Sequence, residues 1–437
     1  MTIFRGRLAT TTALGGLVIG LGAGLTVGQA QAAGFYIQEQ SVTGLGRAFA
    51  GEAAAGTDAS TIFFNPAAMT ELESAEINAG VHLLIPRADF ENDGSTAGIP
   101  GLGFFPVTGD SDNPYSPTPV PNLYVAYPFM DDRLWVGVGV TAPFGLANEY
   151  EEDWFGRYDS VETELTTINI GPAIAYKVND KFSIGGGIDI QYADATLTNK
   201  IPAGLPASPA TDLNADLQGD DWSYGFNLGA TFEPTEELRF GVHYRSAMSH
   251  DLEGELLVTT AAGAAVVDTS GAAELNLPDI ASFGVAYDAT PALTLLGGVT
   301  WFGWSNFEEI AVVRGDGVPV VPIEQGYQNT FAFSVGASYE LNDQWTFRGG
   351  FQYDETPTTD EHRTTRTPDG DRYWLSAGAS YEINESFVID AAFTHIFIDD
   401  AEVDVSRTST GSPIVANVAG TSENSVDIVS IGVRYRF

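Results

Sequence analysis

From residue 76 onward, apolar and polar residues alternate in runs separated by turn-forming clusters. In WSYGFNLGATF (222–232) the even positions are Trp222, Tyr224, Phe226, Leu228, Ala230 and Phe232, while the odd ones are small or polar. Phe331–Leu341, Gln344–Asp354 and Tyr373–Tyr381 repeat the pattern. A period of two with one apolar face predicts strands. The connections come in two sizes. Short polar turns are predicted at 130–133, 178–181, 233–237, 288–291, 341–344 and 382–386. Long loops are predicted near 88–118, 144–159, 200–219, 258–273, 308–324, 355–370 and 401–421. Counting between them gives fourteen strands, the first pairing with the last. Alternate short turns and long loops, with many strands reaching the roughly nine to eleven residues needed to cross a bilayer at a tilt, predict a 14-stranded antiparallel transmembrane β-barrel rather than a soluble sandwich. Aromatics at strand ends (Tyr124, Tyr127, Phe129, Trp135, Tyr176, Tyr244, Tyr287, Trp301, Trp304, Trp345, Tyr381, Tyr435) are expected to form its interfacial girdles.

The first 75 residues do not follow this rhythm. Arg5 and Arg7, the apolar run Leu14–Val27 and Ala30-Gln31-Ala32 predict a cleaved signal sequence over 1–32. Residues 33–74 have neither alternation nor a long apolar run and are rich in Gly and Ala. They are predicted to be a small plug, or hatch, in the lumen, with 75–437 as the barrel. Within the plug, Asn65-Pro66-Ala67 suits a short helix, Asn as N-cap and Pro at the first position. In the wall, the third strand, Leu134–Thr141, runs into Pro143-Phe144-Gly145. Pro lacks a ladder N–H and Gly has little strand preference, so pairing is expected to fail there. This marks either the plain end of a strand or an opening in the wall.

Composition narrows the function. The chain has 58 Asp and Glu against 19 Lys and Arg, a formal net charge of −39. That excludes a nucleic-acid partner, which needs a basic surface. The acidity is assigned to loops facing water. There is no cysteine, and the five histidines lack metal-ligand spacing. No GxSxG elbow or phosphate-cradling loop is present. No enzymatic activity, metal or cofactor is therefore expected. A general diffusion porin is the rival of another class; it would carry an inward-folded loop and no plug.

Gly34-Phe35, SVTGLGR (41–47), Ala48–Glu52 and Asn65-Pro66-Ala67, followed by WSYGFNLGA (222–230), HYRSAM (243–248), LNLPD (275–279), WSNF (304–307), WTFRGGF (345–351) and DRYWLSAGASYEIN (371–384), resemble the FadL/TodX family in order along the mature chain. These are outer-membrane transporters of long-chain fatty acids and other hydrophobic compounds. The resemblance implies a Gram-negative outer-membrane location, a hatch, binding in an apolar lumen pocket and lateral release through a kink in the third strand. It implies substrate-binding roles for Phe35, Ile37, Lys200, Gln328 and Arg348, a hatch motif at Asn65, Pro66 and Ala67, and a lateral opening at Pro143, Phe144 and Gly145. It implies as partners a fatty acid or hydrocarbon, the outer-membrane lipid, and the barrel-assembly machinery through the terminal Phe437, in a monomer. Two positions depart from the family. Lys200 is displaced from the family's Arg position and Gln328 replaces a Lys, which would suit a neutral hydrocarbon. Arg245, Arg348 and Arg372 are alternative anchors, unless they pair with lumen carboxylates.

Overall fold

Alternation of this kind is satisfied when each strand has one face in lipid and the other in the lumen, and the backbone ladder has no free edge. The computed structural model, which describes residues 34–437, has this arrangement. The expected signal sequence lies outside those residues. The wall comprises β1 (Glu76–Asn92), β2 (Thr118–Phe129), β3 in two segments (Leu134–Thr141 and Gly145–Glu149), β4 (Glu162–Asn179), β5 (Phe182–Ile201), β6 (Leu213–Thr235), β7 in two segments (Leu238–Arg245 and Met248–Thr260), β8 in two segments (Ala265–Leu277 and Ile280–Thr290), β9 (Leu293–Phe302), β10 (Thr330–Asn342), β11 (Trp345–Asp354), β12 (Arg372–Asn384), β13 (Phe387–Ile398) and β14 (Val415–Arg436). Each pairs antiparallel with its neighbours in sequence, and β1 pairs with β14 from Glu76↔Arg436 to Asn92↔Gly420. The fourteen-stranded closed barrel read from the sequence is therefore the fold.

Several strands are longer than the alternation indicated. β6 has 23 residues and β14 has 22; at about 3.3 Å per residue β6 runs for about 75 Å, well beyond a bilayer. The expected loops at 200–219, 258–273 and 401–421 shrink accordingly: β6 starts at Leu213, the upper segment of β8 at Ala265, and Ala401–Thr408 pairs with β14. The girdle expectation also needs correction at three positions. Tyr127, Phe129, Tyr176, Tyr287, Trp345 and Tyr435 face outward, but Tyr124, Trp135 and Trp304 are fully buried. They point inward because the lumen is filled: Tyr124 donates from its hydroxyl to the Gln40 carbonyl at 2.8 Å, and Trp304 packs on Phe35.

The filling is the segment from Gly34 to Leu72. It holds two single-turn helices, α1 (Val42–Leu45) and α2 (Thr61–Phe64), and a 3-10 helix (Pro66–Glu71). Asn65 caps the last of these, accepting from the Ala67 N–H at 3.1 Å, with Pro66 at its first position. The segment meets wall strands all round the ring, which is possible only from inside. Gly80 and Gly432 face Val42; Gly137 faces Ile62; Gly185 and Gly229 face Ala67 and Asn65; Gly241 and Gly284 face Ala53 and Ala54; Gly336 and Gly350 face the Arg47 carbonyl; Gly378 faces Gly46. A side chain at most of these wall positions would collide with the inner segment: a Cβ on Gly378 would lie 2.7 Å from the Gly46 Cα, and one on Gly284 2.9 Å from the Ala54 nitrogen. The wall is thus glycine where the segment's backbone passes.

Candidate functional site

The site forms where this inner segment meets the interruption in β3. The lower half of β3 pairs with β2 from Phe129↔Leu134 to Leu123↔Val140 and with β4. After Ala142-Pro143-Phe144 the chain resumes pairing with β4 alone, from Gly145↔Thr166 to Glu149↔Glu162. The edge that would face β2 is met by other groups. Gly145 N–H donates to the Phe35 carbonyl at 2.8 Å, Ile37 N–H donates to the Pro143 carbonyl at 2.8 Å, and Glu149 N–H donates to the Pro114 carbonyl at 2.9 Å. Tyr36 and Phe144 stand opposite one another in this two-bond ladder. The Phe144 peptide is held by one side chain: Thr167 Oγ1 accepts from its N–H at 3.0 Å and donates to its carbonyl at 2.6 Å. A wall interrupted at proline is thereby sealed from within by three residues of the lumen segment, with its backbone polar groups satisfied.

Phe35 links this seal to a pocket. Its ring packs edge-on against Trp304 (4.8 Å between centroids) and Phe307 (5.3 Å), and it lies 6.3 Å from both Phe144 and Tyr327. The pocket it lines is otherwise walled mainly by Leu146, Leu165, Ala195, Leu252, Leu275 and Ile310, with Thr163, Glu164, Glu274, Gln325, Thr367 and Arg366 as polar residues. Its free space is only about 80 Å³, well below that of usual ligand sites. Phe35, Phe307 and Tyr327 contribute their rings to its lining. Above lies a wider, apolar vestibule of about 740 Å³, bounded by the upper parts of β5, β6, β7 and β8 and by the loops over them. Leu197, Ile310 and Arg366 line both spaces and so stand between the vestibule and the pocket.

The roof is a loop that dips inward. Residues 363–369 are all buried, although the sequence reads them as an outer loop. Asn148 donates to the Arg366 carbonyl and the Tyr150 hydroxyl to the Thr365 carbonyl, both at 2.7 Å, while the Tyr327 hydroxyl donates to Thr367 Oγ1 at 2.8 Å. Sequence reasoning reserved an inward-folded loop for a porin; here one accompanies a filled lumen.

The residues singled out by resemblance are distributed unevenly. Phe35 lines the pocket, and Ile37 is buried beside it with its backbone in the seal. Pro143, Phe144 and Gly145 form the interruption. Asn65 Nδ2 donates to the carbonyls of Ala53 and, at 3.2 Å, Ala230 of β6, so the Asn65-Pro66-Ala67 turn ties the inner segment to the wall. Three expected ligand contacts lie elsewhere. Lys200 is held by Glu152 (2.9 Å) and Asn214 (2.6 Å) and lines neither space. Gln328 is exposed, and Gln325 occupies the pocket wall instead. Arg348 donates to Ser380 at 2.6 Å on the wall around the Arg47–Glu52 turn. Of the alternative anchors, Arg245 pairs with Asp189 and Arg372 with Asp369, which are lumen carboxylates. Arg366 was missed. It sits in a polar stretch, TTRTPDG, whose burial depends on hydroxyl and carbonyl partners distant in sequence.

The sequence profile described as outer membrane protein transport protein (OMPP1/FadL/TodX) matches residues 24–437. A long-chain fatty acid transport protein of Escherichia coli O6:H1 is 29% identical over 414 residues, covering 87% of each chain. The crystal structure of a Pseudomonas aeruginosa FadL homologue superposes with a TM-score of 0.84 at 25% identity, over 93% of this chain and all of that one. The toluene transporter TbuX of Ralstonia pickettii shares the fold, with a TM-score of 0.65 at 19% identity over 90% of this chain and 97% of that one. With its closed fourteen-stranded wall, its filled lumen and a profile match over nearly its whole length, the chain is an outer-membrane β-barrel and belongs to the OMPP1/FadL/TodX family of transport proteins.

Proposed function

We propose that this protein carries hydrophobic compounds, above all long-chain fatty acids, from outside the cell into the outer membrane. A substrate gathers in the vestibule, moves into the pocket, displaces Phe35, and leaves sideways where β3 is interrupted. The observation that carries this reading is the double role of Phe35. Its ring lines the pocket while its carbonyl accepts the Gly145 N–H that seals the wall. A ligand that needs the space of that ring binds better to the unsealed state, and that differential affinity is what a conformational change requires. Lateral release also keeps the acyl chain out of water, where each methylene costs about 0.8 kcal/mol. The filled lumen favours this over an open porin. A neutral hydrocarbon is the second reading: Lys200 is engaged by Glu152 and Gln328 faces solvent, so the positions matched to the family's basic residues present no free cation to the pocket.

The test uses the absence of native cysteine. Tyr36 and Phe144 oppose each other as a non-hydrogen-bonded antiparallel pair, a geometry with Cα atoms about 4.5 Å apart, within disulfide range. The Tyr36→Cys, Phe144→Cys variant, in cells lacking their own transporter, should take up labelled oleate only after reduction. Equal uptake by the oxidised and reduced forms would reject unsealing as the route. Toluene uptake without oleate uptake would move the assignment to hydrocarbons.

A further inference from the structure

Basic side chains are scarce in this chain, 19 against 58 acidic ones, yet three arginines, Arg314, Arg366 and Arg407, line the vestibule with one carboxylate, Asp159. Arg314 is paired with Asp316 at 2.5 Å and Arg407 with Asp159 at 2.6 Å. The second oxygen of Asp159 accepts from the Thr365 backbone N–H (2.7 Å) and hydroxyl (2.6 Å). Arg366 is left with neutral acceptors: Nη1 donates to Thr163 Oγ1 (2.9 Å), the Glu162 carbonyl (3.1 Å) and Ser160 Oγ (3.3 Å), and Nη2 to the carbonyls of Asp159 (2.9 Å) and Thr198 (3.2 Å). Its Nε–H has no acceptor among the described residues. It is 3% exposed. A buried cation with no direct counter-ion is costly, and an anion arriving beside it removes that cost. Burial pulls its pKa down to about 10, so it stays charged at neutral pH.

We propose that Arg366 determines specificity by receiving the carboxylate of a single-chain acidic amphiphile at the throat between vestibule and pocket. This rests on the uptake reading above and adds the class of head group to it. With Nη1 and Nη2 already bonded, the Nε–H is the free donor for a carboxylate oxygen, and the charge on the guanidinium strengthens that bond. Leu197 and Ile310, which line both spaces with it, give the acyl chain an apolar surface on either side. A neutral hydrocarbon gains nothing from the charge.

Binding of palmitate and of hexadecanol, which share a chain length and differ in head group, tests this on the full chain in a neutral detergent. A charge-assisted hydrogen bond contributes enough to make palmitate about tenfold tighter in the parent. Arg366→Met should lose most of that preference through palmitate, while Arg366→Lys, which keeps the charge, retains part of it. The proposal is overturned if the parent binds both ligands equally, if Arg366→Met keeps the preference, or if Met and Lys variants lose both ligands alike, which marks a purely structural role. Equal binding in the parent would leave the uptake reading standing; binding of neither ligand would bring both down.

Discussion

At single residues, the inner segment is held by what the wall lacks and by what the segment buries. A Cβ on Gly241 would overlap the Ala53 carbonyl, as would one on Gly350 the Arg47 carbonyl. Gly241→Ala should therefore unseat the segment at about 1–3 kcal/mol, the usual cost of overpacking. In planar bilayers the variant should pass a steady ion current that the parent blocks; an equally tight variant would mean the segment yields elsewhere. Glu39 is fully buried two residues beyond the seal, and burial pushes its carboxyl up to about 7, with the backbone N–H groups of Glu39 and Gln38 and the Arg372 charge opposing. Its unfolded value is about 4.3. Between these values the folded state holds a proton that the unfolded state has released, so this group's contribution to stability falls as pH rises from about 4.5 to 7. The melting temperature of Glu39→Gln, relative to the parent, should be higher at pH 8 than at pH 5. A difference that does not change with pH would show that Glu39 does not titrate there.

At the scale of the strand, the interruption in β3 depends on a borrowed partner. Thr167→Val removes both bonds to the Phe144 peptide while keeping the shape of the side chain. Two buried backbone groups are then left unpaired, at about 1–3 kcal/mol each. The expected result is a lower midpoint in denaturant and faster opening of the Tyr36–Phe144 contact, readable by the rate of thiol labelling in the cysteine pair. The interruption was legible in the sequence because Pro143 has no N–H to give to a ladder and Gly145 has little strand preference. The upper halves of the long strands were not, and β6 shows why. From Trp222 to Phe232 the apolar set is even-numbered and faces lipid, whereas Leu213, Ala215 and Leu217, which are odd-numbered, turn inward to line the vestibule. Above the membrane the outside is water and the inside is greasy, so the alternation changes phase near Asp220 and Asp221. A reading that extends one phase therefore stops at the membrane surface. The inward loop was hidden for a different reason: Thr365 and Arg366 carry no pattern of their own, and their partners Asp159, Asn148 and Tyr150 lie over 200 residues away.

For the whole molecule, the net charge of −39 surrounds a throat that holds Arg366. At distances longer than the vestibule an anionic amphiphile meets repulsion, and salt screens it, with a Debye length of about 8 Å at physiological strength. The association rate of oleate with the purified protein should therefore rise with salt, while that of toluene stays flat; a fall for oleate would mean the arginines dominate the outer field as well. The ring of wall glycines has one further consequence. At the glycines the wall offers bare backbone to the inner segment, while neighbouring wall side chains, among them Arg245, Ser183, Asn78 and Gln352, hold it by hydrogen bonds. At those glycines the contact is a smooth bearing, with no wall side chain to catch on the passing backbone. Friction would thus be set by the polar ties, such as Asn65 to Ala230, Tyr124 to Gln40 and Arg245 to Phe63, and the wall would keep its shape while its contents turn over.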